Sequence, residues 1–429
     1  MLNDCFFNSR LTRLCVKRIA GMLFVICSLA LYQDCLAQRV ATLRVPNTNA
    51  TGPVCVDLDQ ISDLPDSLLS LTEVKGNNRT SVPFQVEHGY RRFIWWSPKS
   101  GVAYELEKVS RPVDYNADVL VKQENGAMIV ENKDKPLLQY NYKTAYPPPG
   151  VDTVFKRSGF IHPLWSPSGN VLTRLSPPDH YHHFGLWNPW TKVLFEGKEV
   201  DFWNLVKKQG TVRFSSFLSR QQGPIFAGFR TLQKHVVLND SAGEKTALNE
   251  VWDVRAFPVN DKSWILDFTS VLTCATDSPV TLQEYRYGGF GFRATEDWND
   301  NNSKILTSAN KTRKDADATA ARWCMIDGDM RKGHSGILFM SYPSNYNYPE
   351  PMRVWPEKMN KRGDVFFSFS PTRNKDWPLQ PGKSYVLKYR MLVYEGSISA
   401  EQAEAAWKDF AHPPRVMVIN TVKNSSEDK

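Results

Sequence analysis

ALNEVWDVRAF (247–257) and WILDFTSVLTCA (264–275) decide the fold. In the first, Trp252, Val254 and Ala256 alternate with Asp253 and Arg255, and the second is dominated by β-branched and aromatic residues. A period of two with this composition is that of strands with one face on a core. The same texture recurs in MIVEN (128–132), LLQYNY (137–142), TVRFSSFL (211–218), FRTLQKHVVLN (229–239), GILFMSY (336–342), VFFSFS (365–370) and YVLKYRMLVY (385–394). Almost nothing between residues 126 and 396 has a helical period. The expectation is a large antiparallel β-structure of two packed sheets over 124–414.

Upstream, VPFQVEH, RRFIWW and AYELEK are shorter alternating runs separated by Gly, Asn, Pro and Ser. They predict a separate small β-sandwich over 38–123. One helix is expected, at the end: Ser399 opens SAEQ, a capping-box pattern, and Ala403, Ala406, Trp407 and Phe410 form an apolar stripe. The fold class is therefore all-β, with a small N-terminal sandwich, a large two-sheet antiparallel unit and one C-terminal helix. Residues 415–429 read as a polar tail.

Residues 1–37 read differently from the rest. Arg10, Arg13, Lys17 and Arg18 precede the apolar run GMLFVICSLALY, which ends before Cys35-Leu36-Ala37. That order is the anatomy of a secretory signal peptide, so the expected location is periplasmic or secreted, in a Gram-negative bacterium. No later stretch is long and apolar enough to span a bilayer, and no membrane association is expected after cleavage. The formal charge of +8 is spread along the chain rather than run together. This makes nucleic acid a poor partner. Beyond the signal region the cysteines are Cys55, Cys274 and Cys324, too widely spaced for a zinc motif or a disulfide framework.

The chemistry concentrates in PPDHYHHFGLWNPW (177–190), where three of the chain's eight histidines fall within four positions. If the stretch is extended, alternation places His180 and His182 on one face and Tyr181 and His183 on the other. Two imidazoles on one face serve acid/base chemistry, or bind a divalent metal with a third ligand from elsewhere. Asp179 is placed to orient one imidazole, as carboxylates do beside metal-bound or catalytic histidines. The tryptophans and tyrosines around the cluster suit stacking on sugar rings, although each taken singly reads as core. A second block, QEYRYGGFGFR (283–293) followed by TEDW (295–298), carries Glu284, Arg286, Arg293 and Glu296 on a glycine-interrupted strand. A third, 342–356, is dense in Asn, Tyr and Pro and contains Asn345, Tyr346 and Trp355; Arg322 precedes it.

On YPPPGVDTVFKRSGFIHPLWSP, PPDHYHHFGLWNPW, VDFWNL, YRYGGFGFRATEDW and YPSNYNYPEPMRVWP, over residues 137–410, the chain resembles a bacterial family of Bacteroidetes and Planctomycetes called PmoA-like, of unassigned function. The resemblance implies a galactose-mutarotase-like β-supersandwich and a role in carbohydrate use. It does not imply a methane oxygenase, whose membrane subunit needs several transmembrane helices.

The leading expectation is an exported glycoside hydrolase or lyase acting on an oligosaccharide or polysaccharide, with no cofactor required. His180, His182 and His183 with Glu284 or Glu296 would do the acid/base work. Asp179, Tyr181, Trp187, Arg286, Arg293, Arg322, Asn345, Tyr346 and Trp355 would hold substrate. Two alternatives stand beside it. One is metal-assisted β-elimination or hydrolysis of glycosides or keto-glycosides, with His180 and His182 as ligands of a divalent metal; the other is a glycan-binding protein without catalysis.

Overall fold

The computed structural model describes residues 38–45, 52–87, 89–97, 102–240 and 243–419. The signal-peptide reading of 1–37 and residues 420–429 of the expected tail lie outside them. The two runs that open the sequence argument are antiparallel neighbours, Gly243–Asn260 and Ser263–Cys274, with Trp252 opposite Ser270 and Val254 opposite Phe268. They lie at the middle of an eight-stranded sheet. Gly210–Gln221 and Ala227–Asp240 continue it on one side, and Tyr385–Glu395, His334–Ser341, Trp323–Asp329 and Ser303–Thr307 on the other. Alternation is met residue by residue: Trp252, Val254 and Ala256 are buried, whereas Val251, Asp253 and Arg255 between them are only partly so.

A second eight-stranded sheet faces it, running from Met352–Val354 through Phe366–Phe369, Gly291–Arg293, Leu186–Trp187 and Phe160–Leu164 to Lys135–Asn141, Ala127–Asn132 and Val119–Glu124. Between the sheets lies one apolar core that includes Tyr140, Leu186, Trp252, Phe268, Phe292, Phe339 and Phe367. This is the expected supersandwich, except that its first strand, Val119–Glu124, begins before the expected boundary at 124. The N-terminal unit has its own core around Leu43, Phe93, Trp95, Tyr104 and Leu106, between a five-stranded and a three-stranded sheet. The segment read as a polar tail departs from expectation at its start. Met417–Ile419 adds an antiparallel strand to Gln38–Arg44, because three apolar residues meet an otherwise open sheet edge.

Ala400–Ala411 is the one α-helix among the described residues, with the capping box formed as read. Ala403, Ala406 and Trp407 pack on Trp323, Met325, Leu338 and Met340, on the large sheet's outer face. The Ser399 hydroxyl accepts from the Gln402 N–H at 3.2 Å. Ser399→Ala is expected to lower stability by about 1 kcal/mol, read as a fall in thermal midpoint; no change would mean that packing alone holds the helix.

Candidate active site

The histidine stretch is not extended. Leu175 and Phe184 form an antiparallel bridge, and the residues between them turn back on themselves. The His180 N–H donates to the Pro177 carbonyl at 2.9 Å, the His183 N–H to the His180 carbonyl at 3.0 Å and the Ser176 N–H to the His183 carbonyl at 2.8 Å. Gly185 then re-enters the sheet at φ +68°, where a Cβ would lie 2.4 Å from the Ile161 carbonyl oxygen, so only glycine fits. The expected two-and-one division of imidazoles across a strand is overturned. The turn brings all three together, with ring centroids 4.7 to 5.3 Å apart and ligating nitrogens within 4.8 Å of one another.

Each imidazole has a different environment. His183 is 3% exposed, packed among Trp187, Phe366 and Trp355, and its Nδ1 has no hydrogen-bond partner. Burial, with the nearby His182 and Arg293 charges, keeps it neutral far below the usual imidazole range. His182 is pushed down to about 3, by burial first and then by the charge of His180. His180 is partly exposed, and its Nδ1 lies 2.8 Å from Asp179 Oδ2.

Asp179 is anchored in turn. Arg293 Nη2 donates to Oδ1 at 3.1 Å, Nη1 pairs with Oδ2 at 2.9 Å, and Asn360 Nδ2 donates to Oδ2 at 2.9 Å. Burial works to raise the Asp179 carboxyl, but the His180 hydrogen bond and the Arg293 charge override it and hold the group well below the carboxylate range. Arg293, 1% exposed, also pairs with Asp364 at 3.2 Å and lies 4.6 Å above the Trp355 ring. Arg174 reaches Asp364 at 3.9 Å and Glu296 at 3.2 Å, and Glu296 remains 59% exposed. The chain of contacts therefore runs from three imidazoles through Asp179 and Arg293 to a solvent-side carboxylate.

Of the residues singled out from sequence, Asp179, His180, His182, His183, Arg293, Glu296 and Trp355 come together, and Tyr181 sits beside them against Phe155. Two of the aromatic residues are not stacking surfaces. Trp187 is fully buried beneath His183, and Trp355 is 4% exposed; Trp187 packs on the His183 ring, and Trp355 on His180, His183 and the Arg293 guanidinium. The others join different structures. Arg322 pairs with Glu404 on the helix at 2.9 Å. Asn345 is buried and donates to Glu350 at 2.8 Å, while Tyr346 stacks on Trp377 at 4.5 Å. The Glu284 N–H donates to Asp376 at 2.6 Å, and Arg286 lies over Tyr287. Asp364, Asn360 and Arg174 were not legible as site residues, because nothing local marks them and only the strand order brings them to Arg293.

Two antiparallel eight-stranded sheets with a polar histidine turn on the outer side of one of them define an all-β supersandwich with a loop-borne site. The chain belongs to DUF6807, a family of unknown function, whose model matches residues 127–408. That span nearly coincides with the 137–410 stretch that resembles the PmoA-like family, although the family found carries neither that label nor an activity. No curated protein matches the sequence. Similar solved structures include a heparan sulfate lyase from Pedobacter heparinus (9% identity, 68% of this chain and 38% of that one, TM-score 0.31). An α-mannosidase from Enterococcus faecalis V583 is another (9%, 90% and 47%, 0.42), as is a GalM/aldose epimerase homologue from C. elegans (10%, 66% and 99%, 0.29). The chain spans less than half the length of the lyase and the mannosidase. Likenesses this weak carry no argument about activity, and the architecture stands on the chain's own strand order.

Proposed function

We propose that the chain is an exported carbohydrate-active enzyme whose reaction centre is the cluster of His180, His182 and His183, acting as a divalent-metal site on a glycosidic bond or sugar ring. The observation that carries this reading is the convergence of three imidazoles, two of them held neutral by burial. Neutral imidazole is the form that ligates, and two buried rings kept from protonating around a shared point are suited to a cation rather than to proton transfer near neutral pH. A divalent ion bound there would supply a Lewis acid for a substrate oxygen.

The chain's own residues do the rest. Asp179 accepts from His180 Nδ1–H, which fixes the tautomer and leaves Nε2 as the ligating atom. Arg293 holds Asp179 ionised and in place, and Trp355 closes the floor beneath both against water. Glu296, paired with Arg174 on the solvent side, would be the carboxylate that moves a proton.

A second reading rests on the Asp179–His180 pair at 2.8 Å, a carboxylate-backed imidazole that could act as acid or base without a metal. Elemental analysis of the purified chain separates the two. The metal reading expects about one divalent transition metal per chain, removed by chelators; protein that stays metal-free after metal supplementation and still turns over an oligosaccharide would leave only the acid/base reading. Glycan binding with no new reducing end, unsaturated product or anomeric change would leave neither.

A further inference from the structure

The outer face of the large sheet is charged where it meets the N-terminal unit. Trp252, Val254 and Ala256 point into the core between the sheets, so Asp253 and Arg255 between them point outward. Register sets these residues in two rows, each crossing four strands: Arg230, Asp253, Thr269, Lys388 in one, and Gly228, Arg255, Asp267, Arg390 in the other. Beside the rows an apolar seam of Ile94, Ile225, Phe226, Phe257 and Ile265 joins the two units. Over the rows lies a cavity of about 410 Å³, walled by Cys55, Tyr90 and Arg92 of the N-terminal unit and by Tyr342 and Phe410 opposite. Small-molecule sites favour such interfaces and span about 300–1,000 Å³.

The floor of this cavity is fixed. Arg255 donates to Asp253 through Nε and Nη2 at 2.8 and 2.7 Å, and Arg390 to Asp267 at 2.6 and 2.7 Å. The two ends of the first row are not neutralised. Arg230, 37% exposed, reaches Asp253 only at 3.9 Å, and both Asp253 oxygens already accept from Arg255. Lys388 is exposed, with its ammonium 5.1 Å from the centre of the Tyr342 ring, and no carboxylate among the described residues pairs with it. Three strand spacings separate Arg230 from Lys388, about 14 Å. Two cations at that spacing on a rigid floor suit acidic groups on separate units of one chain better than a single small ion. Tyr90, 49% exposed, offers a ring face beside them, as sugar sites do.

We infer that this cavity is a second saccharide site, which holds a short run of an acidic polysaccharide by its carboxylates or sulfate esters on Arg230 and Lys388 and by a sugar ring on Tyr90. The inference rests on the carbohydrate reading above for the word saccharide. The histidine turn lies on the outer side of the other sheet, with the apolar core between. A chain held here is therefore held apart from the reaction, and the site serves to keep polymer close to the enzyme, which raises its effective concentration. It also gives the N-terminal unit a part in binding.

The test uses the full chain with trigalacturonic acid and its methyl ester, and with maltotriose and its sulfate ester. Calorimetry reads affinity. Alkylation of Cys55, which is exposed and lines the cavity, reads occupancy by mass spectrometry. Each acidic probe is expected to bind at least about tenfold more tightly than its neutral partner and to slow the alkylation. Arg230→Gln with Lys388→Gln is expected to lose both effects, while metal content and turnover of a small substrate stay as in wild type. Equal binding of acidic and neutral probes, a preference that survives in the double variant, or alkylation unslowed at saturation would overturn the inference. Should the double variant fail to fold, Tyr90→Ala must weaken acidic and neutral probes alike; unchanged binding overturns it as well. Acetate or inorganic sulfate protecting Cys55 as well as the oligosaccharides do would overturn the saccharide class. Acid-selective binding here without turnover of any glycan removes the enzyme reading and leaves this site, and turnover without charge preference does the reverse.

Discussion

His182→Ala is expected to cut metal affinity and turnover by at least about a hundredfold while the fold stays intact. The lower bound follows from outer-shell partners, whose loss alone costs about 10 to 100-fold; removing a ligand exceeds that. Asp179→Asn is expected to fall within the outer-shell range, because it keeps the shape and loses the charge that backs His180 and pairs with Arg293. His183 needs a different substitution, since its ring is part of the packing among Trp187, Phe366 and Trp355. His183→Phe preserves an aromatic ring there and removes both nitrogens, so it separates ligation from packing. Competition against a chromophoric chelator reads the affinity, and a thermal midpoint reads the fold. A His182→Ala protein that holds metal as tightly as wild type would remove the cluster from the site.

The sheets were legible because burial on one face writes itself into a period of two, as Trp252, Val254 and Ala256 show against Asp253 and Arg255. The helix was legible because a capping box and an apolar stripe are both local. The histidine turn was not, although its composition stood out. Its geometry is closed by the Leu175–Phe184 bridge and by Arg293, more than a hundred residues later. Alternation is a rule for ladders, and a loop pinned at both ends by tertiary contacts is not bound by it. The 342–356 loop divides: Trp355 reaches the histidines, but its earlier part turns away. Its polar residues suggested a rim, but Asn345 and Glu350 use their hydrogen bonds inward, on Ser341 and Tyr389 of the large sheet.

Glu350 supports the second large expectation, a loss of stability with rising pH. It is fully buried, and it accepts from Ser341 Oγ at 2.5 Å, Asn345 Nδ2 at 2.8 Å and Tyr389 OH at 2.8 Å. Burial raises its carboxyl from 4.5 to about 7, against the lowering effect of those three donors. The folded state therefore binds the proton more tightly than the unfolded state. Its contribution is fully present below about 4.5 and declines as pH rises through about 7, a difference of about 3 kcal/mol. His182 works in the opposite sense, because its folded form stays neutral down to about 3 and acid therefore favours unfolding. The two overlap in a simple pH–stability curve, so the readout is the difference between wild type and Glu350→Gln. Glutamine keeps an acceptor for Ser341 and Asn345, turns a donor towards the Tyr389 hydroxyl, and cannot ionise. Relative to wild type the variant is expected to gain about 3 kcal/mol between pH 4.5 and pH 8, measured by denaturant unfolding at each pH. A flat difference would mean that Glu350 ionises in the folded protein as easily as in the unfolded chain, and that its three donors solvate the charge as well as water does.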